Sequence, residues 1–427
     1  MDGGCFEHIE PLLRRSLLPN FKMILDNGFY AKLKVTTPPA TIPSWPCSFS
    51  GLDPEQLGFF YFIHPEKGLF NSNEWRERSI FSLKDLRMFV LNVPGTYPAW
   101  KINGEMITGM MSPSISCYPF ELKAKYEKDW IISGNNIEEI FQAFKMKSSL
   151  FLKKLEESFD LMIYVIKAPD SISHQAPGNI NKALSAIYRS YIRMDKFLGK
   201  ILNNFKIENL IIFSDHGLKV YKNEYNIQRY FEKKGLLVID DPKLKRTYRT
   251  IFKLIDFVRP FIKSNPLSNF YRRYRKSRSK RKKSVKKTDI VTKDRSRTQY
   301  YTANVGGLFL KGQDKHKLER IKKDLQKNKN IKKIISPNIN GFPDLFIILE
   351  DKFLFSKDAA FYLKRKRETI SHKDIGFFMA FGRDIIKGKV DFVDFQNIAP
   401  TIMKMLKKEK PNYMKGNPLD IFKSYIE

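Results

Sequence analysis

Three of the six histidines in this 427-residue chain stand beside carboxylates where short apolar runs begin or end. The run Leu210–Phe213 (LIIF) leads into Ser214-Asp215-His216-Gly217. The run Leu161–Ile166 (LMIYVI) leads into Asp170-Ser171-Ile172-Ser173-His174, with Pro177-Gly178 beyond. Ser371-His372-Lys373-Asp374 comes shortly before the run Gly376–Ala380 (GFFMA). Imidazole nitrogen and carboxylate oxygen both bind a zinc-type ion well, and a ligand set drawn from several loops is what such a site requires. Each piece is weak by itself, because an Asp-His pair is more often a cap or a surface pair than a ligand. Their joint placement at the ends of separate apolar runs is what links them. A further segment, Thr36-Thr37-Pro38-Pro39-Ala40-Thr41-Ile42-Pro43-Ser44-Trp45, sets hydroxyls among prolines that stiffen the turn. It suits a nucleophile held at a helix start, where the dipole and free N–H groups favour an anion. From composition alone, an ordinary proline-rich loop with an N-cap is the simpler reading.

The elements that would position these groups read as alternating strands and helices. Met88, Phe89 and Val90 end one strand-like stretch, and Leu161–Ile166 is an apolar run of the buried-strand type. Asn181–Phe205 then carries Leu184, Ile187, Tyr191, Met194, Leu198, Ile201 and Leu202 at helical spacing, and Leu210–Phe213 is strand-like again. Strand, long helix, strand is the pattern of a parallel sheet covered by helices, whose chemistry sits at the carboxyl ends of the strands. Later runs, Ala303–Leu310, Leu345–Leu349 and Gly376–Ala380, read as further strands, and Ile398–Leu406 as a late helix. There is no internal repeat.

The formal net charge is +32. Tyr271–Lys287 (YRRYRKSRSKRKKSVKK) holds eleven Lys/Arg and no acid, which leaves +21 for the remainder. Such a balance attracts polyanions: nucleic acid, anionic lipid surfaces or phosphorylated substrates. It is equally the mark of a lysine-rich solvated surface. The chain divides into residues 1–223, a basic helical or flexible insertion over 224–298, and residues 299–427, with the first and last parts forming one α/β domain. No apolar run reaches membrane-span length, and the opening Met1-Asp2-Gly3-Gly4 lacks the basic and apolar stretches of a secretory signal. Three irregularly spaced cysteines, Cys5, Cys47 and Cys117, suggest neither a disulfide framework nor a cysteine zinc site, which points to the reducing cytoplasm.

Taken together and in order, these pieces resemble the type I phosphodiesterase/nucleotide pyrophosphatase family of the alkaline-phosphatase superfamily, in its archaeal and bacterial form. Asp2-Gly3-Gly4 resembles the family's opening Asp-Gly. Thr41-Ile42-Pro43-Ser44-Trp45, followed by Ser50-Gly51-Leu52-Asp53-Pro54, looks like its nucleophile motif. Asn92-Val93-Pro94-Gly95-Thr96-Tyr97-Pro98, with Asn103-Gly104, is similar to a segment common in such members. Asp170, His174, Asp215-His216-Gly217 and His372 resemble the remaining metal motifs, and Pro400-Thr401-Ile402 with Met414-Lys415-Gly416 the closing helix and loop. The likeness spans nearly the whole chain outside the basic insertion.

The resemblance implies an α/β, alkaline-phosphatase-like fold: a central, mostly parallel sheet flanked by helices. It implies a two-metal hydrolase of phosphodiester or nucleotide pyrophosphate bonds that works through a phospho-Thr41 intermediate. Asp2, Thr41, Asp215 and His216 would surround one divalent ion, and Asp170, His174 and His372 would hold the second. Zinc is the usual metal, with manganese or iron in related enzymes. Asn92 would orient the phosphoryl group, although a turn-forming role explains it as simply. The sequence departs from the family in two places. The family carries an apolar strand just before its Asp-Gly, whereas here Met1 precedes Asp2. The expectation is a first ligand on a frayed terminus, a sheet short of one central strand, and a start that lies upstream. Leu57-Gly58 also stands where the family often has His-Gly. The sulfatase branch is disfavoured, since Cys47 is followed by Ser48-Phe49-Ser50 rather than by a Cys-x-Pro-x-Arg element. Phosphomonoesterase, phosphomutase and phosphonate hydrolase share the same metal core. A different kind of reading is a catalytically impaired basic protein that uses Tyr271–Lys287 to hold nucleic acid or an anionic membrane surface.

Overall fold

The computed structural model describes residues 1–427 apart from 65–66, 111, 176–178, 228–229, 231–297, 303–304, 309–314, 338–342, 356–363 and 425–427. Local sequence accounts for its strands. Met88–Leu91 (MFVL) is apolar at every position, and all four residues are fully buried, as in a strand covered on both faces. Phe29–Lys34 (FYAKLK) alternates instead: Phe29, Ala31 and Leu33 face the core while Lys32 and Lys34 face water.

The expected single, mostly parallel sheet is found as two four-stranded sheets. In the first, Met88–Leu91 lies parallel to both Gly104–Ile107 and Leu161–Tyr164, and Cys117–Tyr118 adds an antiparallel edge. The second is mixed. Ile375–Gly382 runs antiparallel to Phe29–Lys34 and to Asn209–Phe213, and Gly388–Asp394 lies parallel to Phe29–Lys34. Leu161–Tyr164 and Asn209–Phe213, the two strands joined by the long helix, are therefore not paired with each other. Their carboxyl ends are bridged by the chain's first residues. The Met1 amino group donates to the Phe213 carbonyl at 2.7 Å, and the Asp2 N–H donates to the Ile166 carbonyl at 2.8 Å. The expectation of a frayed terminus is thus corrected: Asp2 is fully buried. Gly3 and Gly4 make this possible. Gly3 has φ +73°, and a Cβ there would meet Leu218 and Asp170 at 3.1–3.2 Å; a Cβ on Gly4 would lie 2.4 Å from the Phe377 ring.

The helix Ile180–Asn204 covers this junction. Asn179 caps it by accepting from the Lys182 N–H, and Ala183, Ile187, Tyr191, Met194, Leu198 and Ile201 form its buried stripe. It anchors the N-terminal residues: the Cys5 N–H donates to the Tyr191 hydroxyl at 3.1 Å. It also supplies the missing cap of the helix Pro19–Asn27, since Asp195 accepts from the Asn20 and Phe21 N–H groups at 3.0 and 2.8 Å.

His8, on the helix Phe6–Leu13, packs edge-on against Tyr188 and Tyr191, with ring centroids 5.9 Å apart in both cases. Burial pulls its pKa from 6.5 to about 4. Above pH 6.5 the imidazole is neutral folded and unfolded, and the shift has no effect. As pH falls toward 4 only the unfolded chain takes up the proton, so stability is lost, by about 3 kcal/mol once pH is below both values. His8→Leu should flatten that decline in urea denaturation between pH 7 and 4.5. Parallel curves for the two proteins would refute it.

A separate antiparallel sheet of Thr298–Thr302, Val305–Leu308, Leu345–Leu349 and Ile331–Ile335 packs beside the helix Lys315–Gln326 through Leu308, Ile321, Leu325 and Ile347. Ala303–Leu310 is a strand only over Val305–Leu308 among the described residues. The late helix spans Ile398–Met405. The run Tyr271–Lys287, and nearly all of the insertion expected over 224–298, lies outside the described residues. Among the described residues no helix is long and apolar enough to cross a membrane.

Candidate metal centre and nucleophile

Asp170 and His174 sit on the helix Ala168–Gln175, which begins shortly after the strand Leu161–Tyr164. A spacing of four residues puts both side chains on one helix face. Asp215 and His216 fill the turn between Asn209–Phe213 and Gly217–Tyr225. His372 was expected just before the strand around residue 376. It stands there, ahead of the strand Ile375–Gly382, near the end of the strand Lys364–Lys373 and opposite Leu218 in the neighbouring strand. These elements deliver two ligand groups, Asp2/Asp215/His216 and Asp170/His174/His372. Within each group, one ligand atom per residue lies within 4.8 Å of the others.

The spacings are those of ligands around an ion. His216 Nε2 lies 3.5 Å from Asp2 Oδ1 and 3.3 Å from Asp215 Oδ2. His372 Nε2 lies 3.1 Å from Asp170 Oδ1 and 3.4 Å from His174 Nε2, and His174 Nε2 lies 3.2 Å from Asp170 Oδ1. Ligands about 2.0–2.1 Å from a tetrahedral zinc ion stand about 3.3 Å from one another. The tautomers agree. His372 Nδ1–H donates to the Pro39 carbonyl at 2.9 Å, and His216 Nδ1–H to the Gly217 carbonyl at 3.2 Å. In the neutral imidazoles each then leaves an Nε2 lone pair facing carboxylate oxygens, an arrangement that a cation between them would satisfy. Among the described residues Asp2 Oδ1, Asp215 Oδ2 and His216 Nε2 are buried without a hydrogen-bond partner, as atoms kept for an ion would be. The residues therefore fit two divalent ions. The groups adjoin: the His216 and His372 rings stack at 3.7 Å, and His216 Nε2 is 3.9 Å from Asp170 Oδ1. The Asp2 group is sealed, while the His174 side chain is 52% exposed and opens the second group to solvent.

Electrostatics point the same way. Two carboxylates within 4.8 Å of each other repel by about 3.5 kcal/mol at an effective dielectric constant of about 20. Burial, with Asp2 next in weight, pushes the Asp215 carboxyl well above its usual range. Burial also opposes the charged form of Asp170, but Lys167, His174 and His372 outweigh it and hold that carboxyl well below the usual range. Burial lowers the pKa values of His216 and His372, which keeps both neutral and able to ligate. Lys167, which the motif reading passed over, donates to Asp2 Oδ2 at 2.9 Å and to Asp170 Oδ2 at 3.2 Å. Burial works against its charge, yet Asp2, Asp170 and Asp215 together raise its pKa. It follows the run Leu161–Ile166 directly, so the rule that chemistry sits at strand ends would have found it.

Thr41 opens the helix Thr41–Ser50 and is buried. Ile42 keeps an extended backbone (φ −109°, ψ 123°), as a residue before proline prefers, so regular helix begins at Pro43 and Thr41 stands just ahead of it. Two bonds fix this segment against the ligand groups: Trp45 Nε1–H to Asp2 Oδ2 at 2.9 Å, and the Pro39 carbonyl to His372. Trp45 is a second residue the motif reading did not assign. Asn92 has φ +60°, the left-handed turn conformation. Its Nδ2 donates to the Val165 carbonyl at 2.7 Å and its Oδ1 accepts from Lys147 Nζ at 2.9 Å.

The family profile described as type I phosphodiesterase / nucleotide pyrophosphatase matches residues 1–366. Among proteins of curated function, none matches in sequence. Human ectonucleotide pyrophosphatase / phosphodiesterase 5 superposes with a TM-score of 0.58 at 12% identity, covering 99% of this chain and 98% of its own. An inactive variant of the murine protein, solved with AMP, gives 0.57 at 11% identity and 96% and 94% coverage. Phosphonoacetate hydrolase from Sinorhizobium meliloti 1021, in complex with phosphonoformate, gives 0.55 at 11% identity and 91% and 88% coverage. At these identities the superpositions establish the alkaline-phosphatase-like α/β fold, and the profile match over residues 1–366 establishes the lineage: this chain belongs to the type I phosphodiesterase/nucleotide pyrophosphatase family of the alkaline-phosphatase superfamily.

Proposed function

We propose that the chain hydrolyses phosphodiester or nucleotide pyrophosphate bonds, with Thr41 as the nucleophile. The observation that carries this reading is the meeting of two three-ligand His/Asp groups beside the stiffened loop that bears Thr41. Two divalent ions there would supply positive charge that lowers the pKa of a neighbouring hydroxyl and neutralises phosphoryl oxygens. Asp2, Asp215 and His216 would hold one, and Asp170, His174 and His372 the other. In the first step Thr41 Oγ bonds to phosphorus, and the opposite P–O bond to the departing alcohol or phosphate breaks. In the second, water displaces Thr41 Oγ and releases the phosphorylated product. Trp45 and the Pro39 carbonyl keep the nucleophile's loop in register with the ligands, and the open side at His174 admits the substrate. AMP, the ligand in the murine relative, is the kind of nucleoside monophosphate such a reaction would release.

A substrate panel tests the reading. Zinc- or manganese-loaded protein should cleave bis(p-nitrophenyl) phosphate and thymidine 5′-monophosphate p-nitrophenyl ester with kcat/KM at least ~10-fold above p-nitrophenyl phosphate, a tenfold change being about 1.4 kcal/mol in the barrier. Turnover confined to the monoester, or to phosphonoacetate, would replace this reading with a phosphomonoesterase or a phosphonate hydrolase.

A further inference from the structure

The helix Ile137–Lys154 carries two buried lysines seven residues apart, and the structure treats them differently. Lys154 is paired with Glu105 at 2.6 Å and Glu157 at 2.8 Å. Lys147, only 3% exposed, has no carboxylate partner among the described residues. Its ammonium donates to two neutral oxygens, Asn92 Oδ1 at 2.9 Å and the Ile132 carbonyl at 2.8 Å, and lies 5.5 Å from the centre of the Trp130 ring. A buried ammonium with no counter-charge is costly, and an anion that paired with it would relieve that cost. The charge nearest in effect is another cation, Lys167.

Lys147, Lys167 and Asn92 line one cavity, together with Ser133, Tyr164 and Ser171. The cavity volume is about 30 Å³, room for roughly two or three oxygen-sized groups and not for a base or a sugar. Lys167 joins it to the ligand groups through Asp2 and Asp170. The wall is half apolar, with Met110, Ile140 and Phe144 among its residues, and its polar part of two ammonium groups, hydroxyls and an amide is the part suited to a phosphate.

We propose that Lys147, with Lys167 and Asn92, forms a second phosphate subsite beside the metal groups and takes the next phosphoryl group of a diphosphate-linked substrate. The inference rests on the phosphodiesterase/pyrophosphatase reading and narrows it to nucleoside diphosphate derivatives. Burial lowers the Lys147 pKa to about 7, so near neutral pH the incoming phosphate would draw a full positive charge onto a group that is otherwise about half protonated.

Calorimetry on the metal-loaded full chain with AMP and with the non-hydrolysable α,β-methylene-ADP tests it, because the two ligands differ by one phosphoryl group. The wild type should bind the diphosphate ~10-fold or more tightly than AMP. Lys147→Met should bring that ratio to within ~2-fold, and Lys147→Arg should restore part of it. A wild-type ratio near one overturns the subsite. So does a Lys147→Met protein that weakens both ligands equally, since Lys147 would then only brace the segment around Ile132. If Lys147→Met does not fold, Lys147→Gln takes its place, and the wild-type ratio still decides. AMP binding with a ratio near one sinks the subsite alone, whereas failure to bind either nucleotide sinks the phosphodiesterase reading with it.

Discussion

Thr41→Ala should lower kcat on bis(p-nitrophenyl) phosphate by more than ~10³-fold while the protein keeps its full metal content. Removal of a nucleophile leaves only the catalysis that binding and charge stabilisation provide, and single deletions of that kind cost several powers of ten. Ser44, three residues on, is locked to Thr36 by a 2.6 Å hydrogen bond, and the Thr36 hydroxyl also serves the Pro38 carbonyl. Metal content should hold because the His and Asp ligand atoms of both groups are untouched, and Trp45 and Pro39 still pin the loop. Turnover by stopped-time absorbance and metal by emission spectroscopy give the two readings. An alanine variant with more than a tenth of wild-type kcat would show that phosphorus is attacked by something else.

Much of the site was legible because its residues are chemically scarce. With six histidines in the chain, three of them beside carboxylates near strand ends, the ligand pattern could be read before any contact was known. The grouping came from the family resemblance, and its His and Asp members lie together as two candidate clusters, Asp170/His174/His372 and Asp2/Asp215/His216. What could not be read was the company those ligands keep. Lys167 looks like an ordinary lysine in a lysine-rich chain, and only burial between Asp2 and Asp170 reveals its role. Lys147 reads as one more polar position on an amphipathic helix, and its contact with Asn92 spans 55 residues. The sheet was legible only in part for a related reason. Short apolar runs state that a strand is buried but not which partner it takes, so the strand–helix–strand pattern over residues 161–213 gives an α/β fold without saying which strands pair. Pairing is long-range, and the Met1–Gly4 segment that bridges the two strand ends carries no periodic signal at all.

Asp170 is the residue whose loss should undo the centre with the least disturbance of the fold. Its Oδ1 lies within 3.1–3.2 Å of His372 and His174 and 3.9 Å from His216, so it touches both ligand groups, while its Oδ2 holds Lys167. Asp170→Asn keeps the shape but removes the charge that balances a divalent ion, and amide oxygen is a poor ligand for zinc beside imidazole. Bound metal should fall from about two equivalents per chain to about one, and kcat by at least ~10²-fold, since one ion cannot stabilise both the attacking and the leaving oxygens. His174→Ala should be milder, about 10-fold, because its side chain is half exposed and water can take the ligand position. The ordering is the informative part. If Asp170→Asn retains two equivalents of metal, or if His174→Ala costs more than Asp170→Asn, the carboxylate is not the hinge between the two groups, and the assignment of the second ion to Asp170, His174 and His372 fails.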